Sequence, residues 1–118
     1  MAFTDWNILL DETGGPNHVG NFCFAPVHGD TRSGLLIYTN EYYYIGHFSK
    51  FIRPGAKRVI SSSSRVQLLT TAFINPNGKL TVVVMNETKE KLTYRMYIGG
   101  QAVVTTSLPH SIQTLVVL

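Results

Sequence analysis

Few side chains in this sequence have the chemistry to do more than fold. The carboxylates number seven: Asp5, Asp11, Glu12, Asp30, Glu41, Glu87 and Glu90. Carboxyl groups serve as general acid, base or nucleophile when two are held together in contrasting environments. Glu87 and Glu90 fall in an evident solvent turn, Asp30 in a hairpin loop, and Glu41 at the start of a helix. Asp11 and Glu12 are neighbours in a loop, where side chains splay into water. Asp5 is the one carboxylate placed to point toward a site, and beside it stands Trp6, the single tryptophan. The four histidines, His18, His28, His47 and His110, show no metal-ligand spacing, and Cys23 is the only cysteine. No metal, no cofactor and no intrachain disulfide are therefore expected. Cys23, flanked by Phe22 and Phe24, reads as a buried side chain. No Ser-His-Asp or Cys-His spacing occurs, and no Gly-rich phosphate loop precedes a helix.

The elements that must position these residues change character along the chain. Phe3 to Leu10 carries a short apolar run that stops at Asp11-Glu12-Thr13-Gly14-Gly15-Pro16-Asn17, the pattern of a buried strand. Such a strand wants neighbours on both sides, as in a parallel barrel, and no βαβ partner for it is evident. Residues 17–34 form a long irregular segment in which Ala25–His28 can pair with Leu35–Tyr38. One helix follows, with Thr39 or Asn40 as cap and Glu41 at the positive end of the dipole. Tyr44, Phe48 and Phe51 make one aromatic face, Gly46 implies close packing, and Pro54-Gly55 stops the helix.

From Ala56 the period becomes two. Strands are expected over residues 57–63, 66–74, 80–86, 92–98, 101–106 and 112–118, joined by Asn, Gly and Pro turns. Gly99-Gly100 fits a two-residue hairpin loop that needs positive φ. The fold class is mainly β: an antiparallel, immunoglobulin-like β-sandwich over residues 54–118. Before it, residues 1–53 hold one strand, a long loop and one α-helix. Asn86-Glu87-Thr88 is an N-glycosylation sequon at a turn, meaningful only in a secreted eukaryotic protein.

Composition sets outer bounds. With 118 residues the chain is one domain, or one domain and part of another; a complete (β/α)8 barrel needs about 200 residues or more. Hydrophobic residues make up 44% and charged residues 14%. That balance suits either a piece covered by something else or a sandwich with a sparsely charged face. The net charge of +3 comes from scattered bases, only Lys57-Arg58 being adjacent, so no nucleic-acid partner is expected. No membrane span and no signal peptide are seen, and the compartment stays open.

Three motifs carry a resemblance: Thr4-Asp5-Trp6-Asn7, Gly14-Gly15-Pro16-Asn17 and Gly46-His47-Phe48-Ser49-Lys50-Phe51. In this order they resemble glycoside hydrolase family 30, the glucosylceramidase-like β-glycosidases, and the likeness runs from about Thr4 to Leu118. The resemblance implies that the first motif closes a (β/α)8 barrel, that the last lies on its final helix, and that a β-sandwich follows. Retaining hydrolysis of a β-linked glycoside needs two carboxyl groups about 5–5.5 Å apart. In the family both are glutamates on earlier barrel strands, so this chain is expected to hold no catalytic residue and to be inactive alone. The family's pocket-lining positions fall on Trp6 and Asn21, which become candidate substrate-binding residues. Read without the resemblance, they are a core indole and a turn asparagine. His18 departs from the family, whose best-known members carry Trp after Gly-Gly-Pro-Asn.

The resemblance also implies a partner, the catalytic barrel of the same enzyme, on which the sandwich packs. Without it, Trp6–Leu10 and the helix face would be exposed and would favour self-association. A carbohydrate-binding module is a second reading, although Tyr94 and Tyr97 have opposite strand parity and make a poor platform. An immunoglobulin-like interaction domain, a third, leaves the Trp6 segment and the helix motif without purpose.

Overall fold

A computed structural model describes residues 4–117. The chain divides into two compact units, one ending at Gly46 and one beginning at His47. The expected strand start at Phe3 and strand end at Leu118 lie outside the described residues.

In the first unit three short strands, β1 (Leu9–Asp11), β2 (Val27–Asp30) and β3 (Leu35–Tyr38), form a sheet in that order. β1 and β2 run parallel, Leu9 opposite Val27, and β2 and β3 are antiparallel, Val27 opposite Tyr38. The apolar run therefore does find a parallel neighbour within the chain, reached through a loop and not a helix. It is strand only where β2 lies alongside, and Trp6 precedes it in a bend. The hairpin forms at residues 27–30 instead of 25–28. Pro26 has no N–H to give a ladder, and Asp30 closes the turn by accepting from the Arg32 N–H at 2.9 Å and the Ser33 hydroxyl at 2.8 Å. Leu10, Ala25, Val27 and His28 are buried here.

Helix α1 covers Asn40–Ser49, and none of its residues is buried. Thr39 does not cap it through its side chain; the hydroxyl bonds the Ala25 and Pro26 carbonyls at 3.2 and 3.0 Å. Among the described residues nothing outside its own helical turn packs on Gly46 within 4 Å of where its Cβ would stand. The helix also ends before the expected Pro54. Asn75, far along the sequence, donates to the Phe51 carbonyl at 2.9 Å and accepts from the Arg53 N–H at 2.8 Å. Those two backbone groups are thereby withdrawn from the helical ladder. His47 Nδ1 bonds the Thr114 hydroxyl at 2.9 Å, and partial burial holds its imidazole below the ordinary range.

The second unit is antiparallel throughout. β4 (Lys57–Val59), β5 (Leu68–Ile74), β6 (Leu80–Asn86) and β9 (Ser111–Val117) form one sheet in the order β4-β5-β6-β9, while β7 (Leu92–Ile98) and β8 (Gln101–Ser107) pair as a separate ribbon. β4 is shorter than expected because the serine run turns away. Ser63 Oγ donates to the Arg65 carbonyl at 2.8 Å and accepts from its N–H at 3.1 Å, a local alternative to the ladder. Gly99 and Gly100, with φ of 56° and 81°, supply the primed turn between β7 and β8.

Leu68, Ala72, Val82, Val84 and Leu92 make the core, with Tyr94, Met96 and Leu115 packed against it. The two sheets do not close over that core. Leu68, Ala72, Val82 and Val84 also line a cleft of about 890 Å3 between the larger sheet and the ribbon. At the far end, Asn86 is 0% exposed. Its amide donates to the Glu90 and Leu108 carbonyls at 2.8 and 2.9 Å, and its oxygen accepts from the Thr88 N–H and hydroxyl at 3.0 and 2.8 Å. One side chain thus ties the β6–β7 turn to the β8–β9 turn, and folding closes the sequon. Asn86→Ala leaves three part-buried backbone groups without their partner and should cost about 1–3 kcal/mol, read as a lowered urea midpoint. Folded protein from a glycosylating host should carry no glycan on Asn86 by mass spectrometry.

Candidate functional site

The loop from Asp11 to Pro26 is built by its own polar groups. Asp11 Oδ1 accepts from the Thr13 N–H at 2.9 Å, the Thr13 hydroxyl at 2.6 Å and the Gly15 N–H at 2.8 Å. Chiefly the Thr13 hydroxyl, then the Gly15 N–H, holds this carboxyl below the usual range. Gly14 has φ of 73°, and a Cβ there would meet the Cys23 nitrogen at 2.5 Å and oxygen at 2.7 Å. Only glycine lets the two arms of the loop close this tightly. Cys23 is half-buried and free, less enclosed than its apolar neighbours suggested.

Glu12 does not splay into water either. Its carboxylate accepts from the Thr31 N–H at 2.9 Å, and the Thr31 N–H is the largest cause of its lowered pKa. Arg32 stands 3.7 Å from Glu12 and 3.6 Å from Asp30, with its side chain 80% exposed. Such exposed pairs contribute little stability and serve mainly to orient the loop. His28 is buried with both ring nitrogens committed: Nδ1 bonds the Asp11 carbonyl at 2.8 Å, and Nε2 accepts from the Ala25 N–H at 3.2 Å. That pattern requires the neutral Nδ1–H tautomer. Phe22 stacks on this ring at 5.6 Å and meets Phe24 edge-on at 4.9 Å.

On this frame the two candidate residues are both exposed, Trp6 by 84%. They belong to one compact unit, and no hydrogen bond joins them among the described residues. The Trp6 segment is held by the Val27 N–H donating to the Ile8 carbonyl at 3.1 Å, and its N–H bonds Asp5 Oδ1 at 2.8 Å. Sequence reasoning missed the partner of Asp5. Glu41 is not a free anion on the helix dipole; its carboxyl interacts with that of Asp5, which lowers the Asp5 pKa and raises that of Glu41. No periodicity could have signalled this contact, because it joins an irregular segment to a helix start.

In the second unit Tyr94 faces the core and bonds Gln113, and burial raises its phenol, whereas Tyr97 is exposed. The opposite parity read from the sequence holds, and these two rings form no binding platform. Among the described residues no three metal-ligating side chains group together.

Comparison with known proteins finds matches over both parts of the chain. The family model described as the glycosyl hydrolase family 30 β-sandwich domain matches residues 55–115, and the one described as that family's TIM-barrel domain matches residues 1–52. The chain is 40% identical over 90 residues to mouse lysosomal acid glucosylceramidase, covering 75% of this chain and 18% of the mouse protein. Among solved structures, SrfJ from Salmonella typhimurium superposes with a TM-score of 0.91 at 38% identity, over 95% of this chain and 25% of that one. An endo-β1,6-glucanase superposes at 0.79 with 26% identity, over 92% and 25% of the respective chains. The chain thus spans between a sixth and a quarter of the length of these relatives.

The Asp11 frame has a pH signature. A carboxyl whose folded pKa is lowered stabilises the fold above its unfolded value and ceases to as pH falls through the folded one. The protection of the Thr13 and Gly15 amides, relative to their intrinsic exchange at each pH, should therefore fall on acidification only below the ordinary aspartate value of 3.8. Asp11→Asn should abolish that dependence.

Proposed function

The chain belongs to glycoside hydrolase family 30, and from that premise we propose that it acts as the non-catalytic C-terminal portion of a retaining β-glycosidase. Residues 1–53 then complete a catalytic barrel, and residues 54–118 form the sandwich that packs on the barrel and stabilises it. The substrate is a β-linked glycoside, met only in the intact enzyme. Trp6 stacks on the apolar face of a sugar ring, and Asn21 hydrogen-bonds one of its hydroxyls. The glutamates that break the bond come from the rest of the barrel.

The observation that carries this reading is the 84% exposed indole of Trp6 on a loop whose carboxylates Asp11 and Glu12 are already spent on backbone N–H groups. A surface so arranged can bind a ring, while these two loop carboxylates are committed to holding the loop. The uncovered apolar surface agrees with a missing partner: Ile8, Val19 and Phe24 are exposed alongside Trp6. The open cleft between the sandwich sheets agrees as well, and strand material from elsewhere in the enzyme fills it.

Two outcomes are expected. Purified alone, residues 1–118 should cleave no aryl β-glucoside and should self-associate by light scattering; turnover, or a clean monomer, would count against the reading. Substituted for the matching segment of mouse glucosylceramidase, the chain should support glycoside hydrolysis. In that hybrid Trp6→Ala should lower kcat/KM on the order of tenfold or more, the worth of one shaped apolar contact.

A further inference from the structure

Two asparagines in the loop between β1 and β2 use their amides in opposite ways. Asn17 is half-buried and fully engaged with backbone. Its Nδ2 donates to the Asn21 carbonyl at 2.6 Å and to the Gly14 carbonyl at 3.2 Å, and its Oδ1 accepts from the Gly20 N–H at 2.7 Å. Asn21 gives its carbonyl to Asn17, while its own side-chain amide is exposed and makes no hydrogen bond among the described residues. The Gly14 carbonyl that Asn17 reaches also accepts from the Cys23 N–H at 3.3 Å, the point where the loop closes. Asn17 therefore fixes the loop up to and including Asn21, tying Gly14, Gly20 and Asn21 itself together. Gly20, with φ of 67°, supplies the left-handed turn that brings the chain back to that amide.

We propose that Asn17 is the positioning residue for Asn21: it does not touch the sugar but sets the place and direction from which the Asn21 amide does. This rests on the reading of Asn21 as a substrate contact. The chemistry is specific to an amide. Two N–H donors and one acceptor are needed in a single short side chain, and aspartate would set a carboxylate against two carbonyl oxygens. The cost of losing the clamp falls on the substrate contact, because a shift of about 1 Å in a positioning group can cost on the order of a hundredfold in rate.

The test is a double-mutant cycle in the glucosylceramidase hybrid, read as kcat/KM on an aryl β-glucoside. Asn21→Ala is measured first and should lose about tenfold or more. Asn17→Asp should lose a similar factor in the parent hybrid and almost nothing further in the Asn21→Ala background. A purely structural role would give the same loss in both backgrounds, and that result overturns the proposal. So does full activity of Asn17→Asp when Asn21→Ala is impaired. Full activity of Asn21→Ala instead overturns the substrate reading beneath it, and the order of measurement keeps the two failures apart. If Asn17→Asp does not fold, Gly20→Ala provides the second route: its Cβ meets nothing within 4 Å, yet its φ is strained. It should shift the same loop and repeat the background-dependent loss; an equal loss in both backgrounds overturns the proposal.

Discussion

Irregular backbone must find hydrogen-bond partners, and in this chain a handful of short polar side chains supply them. Asp11 gathers the turn after β1, and Asn17 ties the long loop to itself. Asn75 draws the segment after the helix onto the sheet, and Asn86 joins two turns at the end of the sandwich. Asp11 and Asn86 stand at the ends of β1 and β6, and Asn17 and Asn75 in the connections, so each side chain bonds backbone that has left the ladder. Strands and helix provide the mass of the structure. These four side chains decide where its connections run.

That division explains what could be read from the sequence. β6 and β7 lie where alternation and turn residues put them, Leu80–Asn86 and Leu92–Ile98, because their ladders depend on local pattern. The helix end and the length of β4 were not legible. The first is set by Asn75, a residue remote in sequence, and the second by Ser63 bonding its own neighbourhood. At the candidate site the irregular path of the Trp6 segment before β1 was not legible either, and it leaves the indole 84% exposed in this chain. The Asp5–Glu41 contact was hidden, since side-chain pairing between a bend and a helix leaves no period to detect. Asp11 and Glu12 looked like solvent carboxylates for a similar reason: their partners are backbone N–H groups, which no residue code announces.

The chain also carries more apolar surface than it can cover. α1 buries no residue, and the first unit presents Trp6, Ile8, Val19 and Phe24 to solvent. The second unit leaves a cleft beside its own core. Single exposed apolar residues are ordinary, but groups of them mark surfaces made for something else. The relatives that the chain matches are several times its length.

The topology of the second unit bears on the order of events during synthesis. β6 pairs with β5 on one side and β9 on the other, and the whole β7–β8 ribbon lies between β6 and β9 in the chain. A ribosome adding about 5–20 residues per second leaves the second edge of β6 bare for a second or more. During that interval Val82, Val83 and Val84 sit on an open strand edge, the kind that recruits other chains. The period of greatest exposure to misassembly is thus the pause before the last strand arrives, and a chaperone able to hold β6 would matter most then.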